Sequence, residues 1–136
     1  MKRKLQVFVC LAVMISFHAV QAEQPKYSSD WYKLIDGTYE GHLLSNNKKN
    51  KVVSTFKYSG NDKVMGVYEF DDEGKNEKGK FTNCQADQKG SLLCGWRDKY
   101  GVGILKITFT NSLNEFNGFW GEEKIEPEWY WGGKLK

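Results

Sequence analysis

The chain has 136 residues, with 20 basic side chains against 17 acidic ones and a formal net charge of +3. Lys2, Arg3 and Lys4 carry that excess, so residues 23–136 are charge-balanced and lack the clustered basic face that a nucleic-acid partner requires. Those residues are enough for one domain with a real core, and they hold no apolar run long enough to span a membrane as a helix.

Lys2 to Lys4, the apolar stretch Leu5 to Val20 and the small-residue site Val20-Gln-Ala22 predict a secretory signal peptide over residues 1–22, cleaved after Ala22. The apolar stretch is shorter than the roughly 20 residues of a spanning helix. The expected location is therefore secreted or periplasmic. Cys10 leaves with the leader. Cys84 and Cys94 remain, an even number in an exported chain, and a disulfide is the default reading.

The elements follow in order. Ser29 to Ile35 predicts a short helical turn, with Ser29 or Asp30 as N-cap and Trp31, Leu34 and Ile35 as its apolar stripe. Alternating segments then predict eight strands: 38–44, 52–58, 63–70, 80–86, 91–98, 102–110, 115–121 and 128–135. The polar run 45–51 and the charged run 71–79 read as solvated loops. Asp71, Glu73 and Lys75, followed by Asn76, fail the calcium-loop pattern, which wants a third oxygen ligand and then glycine. Asp87-Gln-Lys-Gly90 predicts a hairpin with a three-residue loop, 88–90, and Gly90 in the left-handed position. That register sets Cys84 directly opposite Cys94, within disulfide reach.

No helical segment is long enough for a parallel crossover, so the class is all-β: an antiparallel up-and-down meander of about eight strands. A closed barrel is favoured over an open, bent sheet because closure removes the edges. Glycines beside aromatics recur, as in Gly37-Thr-Tyr39-Glu-Gly41, Gly66-Val-Tyr68 and Phe116-Asn-Gly118, where a ring can lie over bare backbone. A helical turn followed by Gly37-Thr-Tyr39 at the start of strand one resembles the opening of the calycins, the lipocalin and avidin-like barrels. The resemblance implies a small barrel fold and no particular ligand. Tyr39 stands where that family usually has tryptophan, and Lys134 is the only cation on the last strand that could pack over it.

No catalytic constellation is assembled. His42 is the one histidine after the leader, with no nucleophile or metal partner in a recognisable pattern. It is the residue a hydrolase or lyase reading would depend on. Glu122, Glu123, Glu126 and Glu128 read as a solvated loop, and Asp98 as a turn-initiating residue. No cofactor or metal is expected. Non-catalytic binding is the expected function, in two versions. An inhibitor or interaction module would use its loops and outer surface, with Trp129, Tyr130 and Trp131 as the candidate patch, because both faces of that strand are aromatic. Tyr130 is expected either to lie under the N-terminal turn, beside Trp31 and Tyr32, or to be exposed. A small-ligand barrel would instead hold an apolar or aromatic molecule against inward residues such as Tyr39, Tyr68, Phe81 and Trp96.

Overall fold

The computed structural model describes residues 27–124 and 126–136; the expected leader over residues 1–22, with its cleavage point, lies outside them. One 3-10 turn, Trp31–Leu34, precedes eight strands: β1 Asp36–Ser45, β2 Lys48–Gly60, β3 Lys63–Asp72, β4 Lys75–Ala86, β5 Ser91–Asp98, β6 Gly101–Phe109, β7 Glu115–Glu122 and β8 Trp129–Leu135. Each strand pairs antiparallel with the next, and β8 returns to β1, so the sheet closes as an up-and-down barrel. The strands alternate as their sequences require. In β6, Gly103, Leu105, Ile107 and Phe109 are buried while Lys106 and Thr108 face water. A single sheet with one apolar face can bury that face by curling onto itself, and closure also pairs both edges. Among the described residues no helix is long and apolar enough to cross a membrane.

Glycines make so small a barrel possible. At the β1–β8 seam a Cβ on Gly41 would lie 2.0 Å from the Gly132 carbonyl oxygen, so the two backbones approach as only glycine allows. Within the barrel, large rings face glycines on the neighbouring strand. Tyr68 pairs with Gly79, Phe81 with Gly66, Trp96 with Gly103, Trp131 with Gly118 and Phe116 with Gly133. A barrel of eight strands has little interior volume. A ring fits where its neighbour has no side chain, and the Gly-aromatic spacing along each strand is the sequence trace of this arrangement across strands.

One end is closed. Trp31 is only 2 % exposed; its indole packs 5.7 Å from the Phe109 ring and donates a hydrogen bond to the Asp87 carbonyl at 2.6 Å. Tyr27 lies beside it and donates to the Phe109 carbonyl. Ile35 is fully buried, but Leu34 is 73 % exposed, which corrects the expected three-residue stripe. The turn is a single one, and the chain is already extended at Ile35, so Ile35 takes the inward place. Asp30 is the N-cap residue but makes no side-chain cap bond.

The two charged runs are not loops. Asn46 and Asn47 (φ 51° and 59°) form a two-residue turn, and Glu73 with Gly74 (φ 53° and 86°) forms another. Left-handed pairs of this kind match the twist of hairpin strands. The strands therefore run to the turns, and most of residues 45–51 and 71–79 is strand. Charge density reads as loop because interior strands are apolar on one face. Above the core both faces of a strand meet water, and charges there cost little. These hairpins stand up as walls around the open end.

The β4–β5 hairpin forms as expected. Residues 88–90 make the loop, Gly90 has φ 79°, and Cys84 is bonded to Cys94 across a Cα separation of 4.0 Å. The β4 bulge at Asn83 (φ 49°) lies beyond the cysteine, so it leaves this register intact. Disulfides form and persist in oxidising compartments. Lys134 faces outward and is exposed, so it does not pack over Tyr39 as the calycin resemblance would have it. Tyr39 is surrounded instead by Phe56, Phe109 and Phe116, at 6.1, 5.5 and 5.4 Å.

Candidate functional site

The barrel opens at the end opposite Trp31, between the β1–β2, β3–β4 and β5–β6 turns and the β7–β8 loop. The opening is about 950 Å³, in the range of small-molecule sites. Its depth is set by Leu43, Tyr68, Trp96 and Trp131, which are buried core residues with one side turned to the cavity. Phe70, Trp120 and Trp129 extend the wall upward. Each takes the next inward position along its strand, above Tyr68, Gly118 and Trp131 respectively. Three indoles form a continuous surface: Trp96 meets Trp120 at 5.5 Å edge-on, and Trp120 meets Trp129 at 4.9 Å.

Three of the indole N–H groups in the wall are bonded within the protein. Trp96 Nε1–H donates to the Gly121 carbonyl at 2.9 Å, Trp120 Nε1–H to the Leu44 carbonyl at 2.9 Å, and Trp131 Nε1–H to Ser54 Oγ at 3.0 Å. Three indole donors are thus spent on the protein, and what these rings offer the cavity is carbon. Tyr68 Oη–H donates to Asp98 Oδ2 at 2.8 Å. Burial raises the Tyr68 pKa, with the hydrogen bond to Asp98 adding to it, so the phenol remains a donor at neutral pH.

Carboxylates ring the mouth: Asp71, Asp72, Asp98, Glu122 and Glu123, against the single lining cation Lys124. Asp98 serves the turn as expected, its Oδ1 accepting the Tyr100 N–H at 2.8 Å. It also shares the inward face of Trp96, two residues before it. Asp72 is tied down by the Tyr100 hydroxyl and by Lys99 at 3.2 Å. The Tyr100 hydrogen bond, then Lys99, holds its carboxyl below the usual value. Lys99 also meets Glu77 at 2.7 Å. Those contacts fasten the β5–β6 turn to the β3–β4 hairpin on one side of the opening. Among the described residues, Asp98, Glu122 and Glu123 form no ion pair with a basic side chain. No group of three or more metal-ligating side chains is gathered to hold an ion among the described residues.

The residues singled out from sequence divide between places. Tyr68 and Trp96 line the cavity. Tyr39 lies at the closed end with its hydroxyl on the Leu113 carbonyl at 2.6 Å, and Phe81 is stacked on Phe56 at 4.9 Å in the middle of the core. Neither is among the cavity-lining residues. All four face inward; strand alternation reports the face, while height along the barrel depends on strand stagger. Trp129 and Trp131 belong to the inside of the mouth and not to an outer patch. Tyr130 alone of the three faces outward, and the N-terminal turn does not cover it. It lies over Gly132, 4.7 Å from the His42 ring, and its hydroxyl donates to Asn117 at 2.6 Å. Partial burial, with the Lys49 charge nearby, lowers the His42 pKa. Phe70, Tyr100 and Trp120 line the cavity without having been expected there, as do Asp98, expected only to initiate a turn, and Glu122, expected in a solvated loop. Two-residue spacing from Tyr68, Trp96 and Gly118 was the available signal for Phe70, Asp98 and Trp120. No protein-family model, curated protein or solved structure matches this chain.

Proposed function

We propose that this is an exported, non-catalytic barrel that holds a small molecule with an apolar or aromatic body in its open mouth. One observation carries the reading: an open space of about 950 Å³ is lined by four tryptophans, Tyr68 and Phe70, and three of the four indole N–H groups are bonded within the protein. A barrel filled by its own side chains has no need of an open aromatic end. The disulfide supports a secreted or periplasmic location.

Native mass spectrometry of the protein, purified gently from the envelope and medium of its own host, tests this reading. A ligand-holding barrel carries an extra mass of a few hundred daltons that is lost on denaturation. Addition of that ligand to the stripped protein changes tryptophan fluorescence, since Trp96, Trp120, Trp129 and Trp131 line the cavity. A stripped protein whose fluorescence ignores the recovered compound refutes it.

The inhibitor or interaction-module reading rests on a different surface. Phe119 is 51 % exposed on the outer face and pairs with Tyr130 on β8, with Leu93 one strand further beyond Lys106. A polypeptide that co-purifies with the native protein and is released by Phe119→Ser supports that reading.

A further inference from the structure

We infer that the open mouth selects organic cations: an amine or quaternary ammonium group on an apolar or aromatic body. The inference rests on the ligand-holding reading and goes further by assigning the charge. A ligand in this mouth meets two kinds of chemistry. The first is π surface. Trp96, Trp120 and Trp129 line the mouth in ring contact, edge-on between the first two and tilted between the last two, and indole is the best aromatic partner for a cation. Trp96 and Trp120 give their N–H groups to the Gly121 and Leu44 carbonyls, so these two indoles meet a ligand with carbon; the neutral amides of Asn46, Asn47 and Asn50 sit on the β1–β2 hairpin at the rim.

The second is charge held in place out of ion-pair contact with any basic side chain of the described residues, in a mouth whose five lining carboxylates outnumber its one lining cation, Lys124. Asp98 is half-buried on the inward face beside Trp96. Both its oxygens are positioned, one by the Tyr68 hydroxyl and the other by the Tyr100 N–H, each at 2.8 Å. These donors are neutral, so they orient the carboxylate without cancelling it. No basic side chain among the described residues lies within ion-pair distance of Asp98. Lys99, next in sequence, is instead committed to Asp72 and Glu77. Glu122 stands two strands along the wall from Asp98, inward on β7 and opposite Gly103, and likewise lacks an ion-pair partner among the described residues. Charge attraction strengthens where a low-dielectric wall excludes water, so this end of the barrel favours a positive guest and repels a negative one.

The test uses the exported protein and three probes of similar shape: benzyltrimethylammonium, its uncharged carbon isostere neopentylbenzene, and benzenesulfonate. Binding is read from tryptophan fluorescence and checked by calorimetry at low and high salt. The cation is expected to bind about tenfold or more tightly than the isostere, with the preference shrinking as salt screens the rim. Benzenesulfonate is expected to be the weakest. Asp98→Asn and Glu122→Gln should each reduce the ratio of cation to neopentylbenzene affinity. Glu122 is exposed, so its variant remains informative if Asp98→Asn does not fold. Equal affinity for cation and isostere overturns the inference and leaves the ligand-holding reading standing. Full cation preference in both folded variants overturns the role given to these carboxylates. Failure of all three probes to bind overturns both readings.

Discussion

Breaking the Cys84–Cys94 bond should lower stability by an amount that its loop length sets. The two residues are 10 apart in sequence. Closing a loop of that size removes about 9 cal/mol/K of entropy from the unfolded chain, or about 2.7 kcal/mol at 25 °C. For one domain of this size the loss corresponds to roughly 10 °C in Tm. Both cysteines are buried core residues, so Cys84→Ala with Cys94→Ala adds a small cavity cost to the loss of the cross-link. Reduction keeps the sulfur atoms and isolates the cross-link more cleanly. Urea titrations of the oxidised and reduced protein, followed by tryptophan fluorescence, give the difference, with thiol titration verifying the reduced state. A midpoint unmoved by complete reduction would refute the chain-entropy argument. Loss of the cooperative transition on reduction would refute it differently, by showing that the bond organises the bulged β4–β5 hairpin itself.

Gly103→Ala places a methyl 2.1 Å from the Gly121 carbonyl oxygen and 2.4 Å from Trp96 Nε1, and the first of these is backbone that cannot swing aside. It should cost about 1–3 kcal/mol or more and shift Trp96 fluorescence as the Trp96–Gly121 bond breaks; a native spectrum with unchanged stability would show that the ring does not lie on that glycine. Trp31→Ala should cost about 3–5 kcal/mol by emptying the closed end, and an urea midpoint close to that of the parent would show that Trp31 is no plug. Burial pushes the Tyr39 phenol up to about 12. The unfolded chain ionises that group near pH 10 while the folded one keeps its proton, so stability is intact below pH 10 and falls as pH rises toward 12. Absorbance at 295 nm should show Tyr39 titrating above the exposed tyrosines, and a Tyr39→Phe variant whose alkaline stability profile equals the parent's would refute the assignment.

The strands and their inward faces were legible because that information is local. In β6 the order Gly103, Leu105, Ile107, Phe109 against Lys106 and Thr108 identifies the inward face without reference to any other strand. The Cys84–Cys94 pairing was legible for the same reason, since a three-residue turn fixes a register over the few residues next to it. Residues 45–51 and 71–79 were misread where a local rule met a global fact. Charges suit a strand that rises past the core, but only the assembled barrel says where the core stops. The turn residues Asn46, Asn47, Glu73 and Gly74 were the better guide than the lysines around them.

The site shows the same division. Alternation assigned Tyr39, Tyr68, Phe81 and Trp96 to the interior, and all four are there. Which of them border open space depends on strand stagger around a closed sheet, a property of all eight pairings together. Tyr68 and Trp96 reached the mouth, whereas Phe81 was enclosed in the core and Tyr39 carried to the plugged end. The sequence alone determined the class, the hairpin order, the disulfide and the inward faces, because period and turn chemistry act over a few residues. Closure, the plugged and open ends, and the meeting of Tyr68 with Asp98, 30 residues apart, were decided only by the tertiary structure. Such contacts depend on shifts and bulges summed over several strand pairings, and no single hairpin encodes that sum.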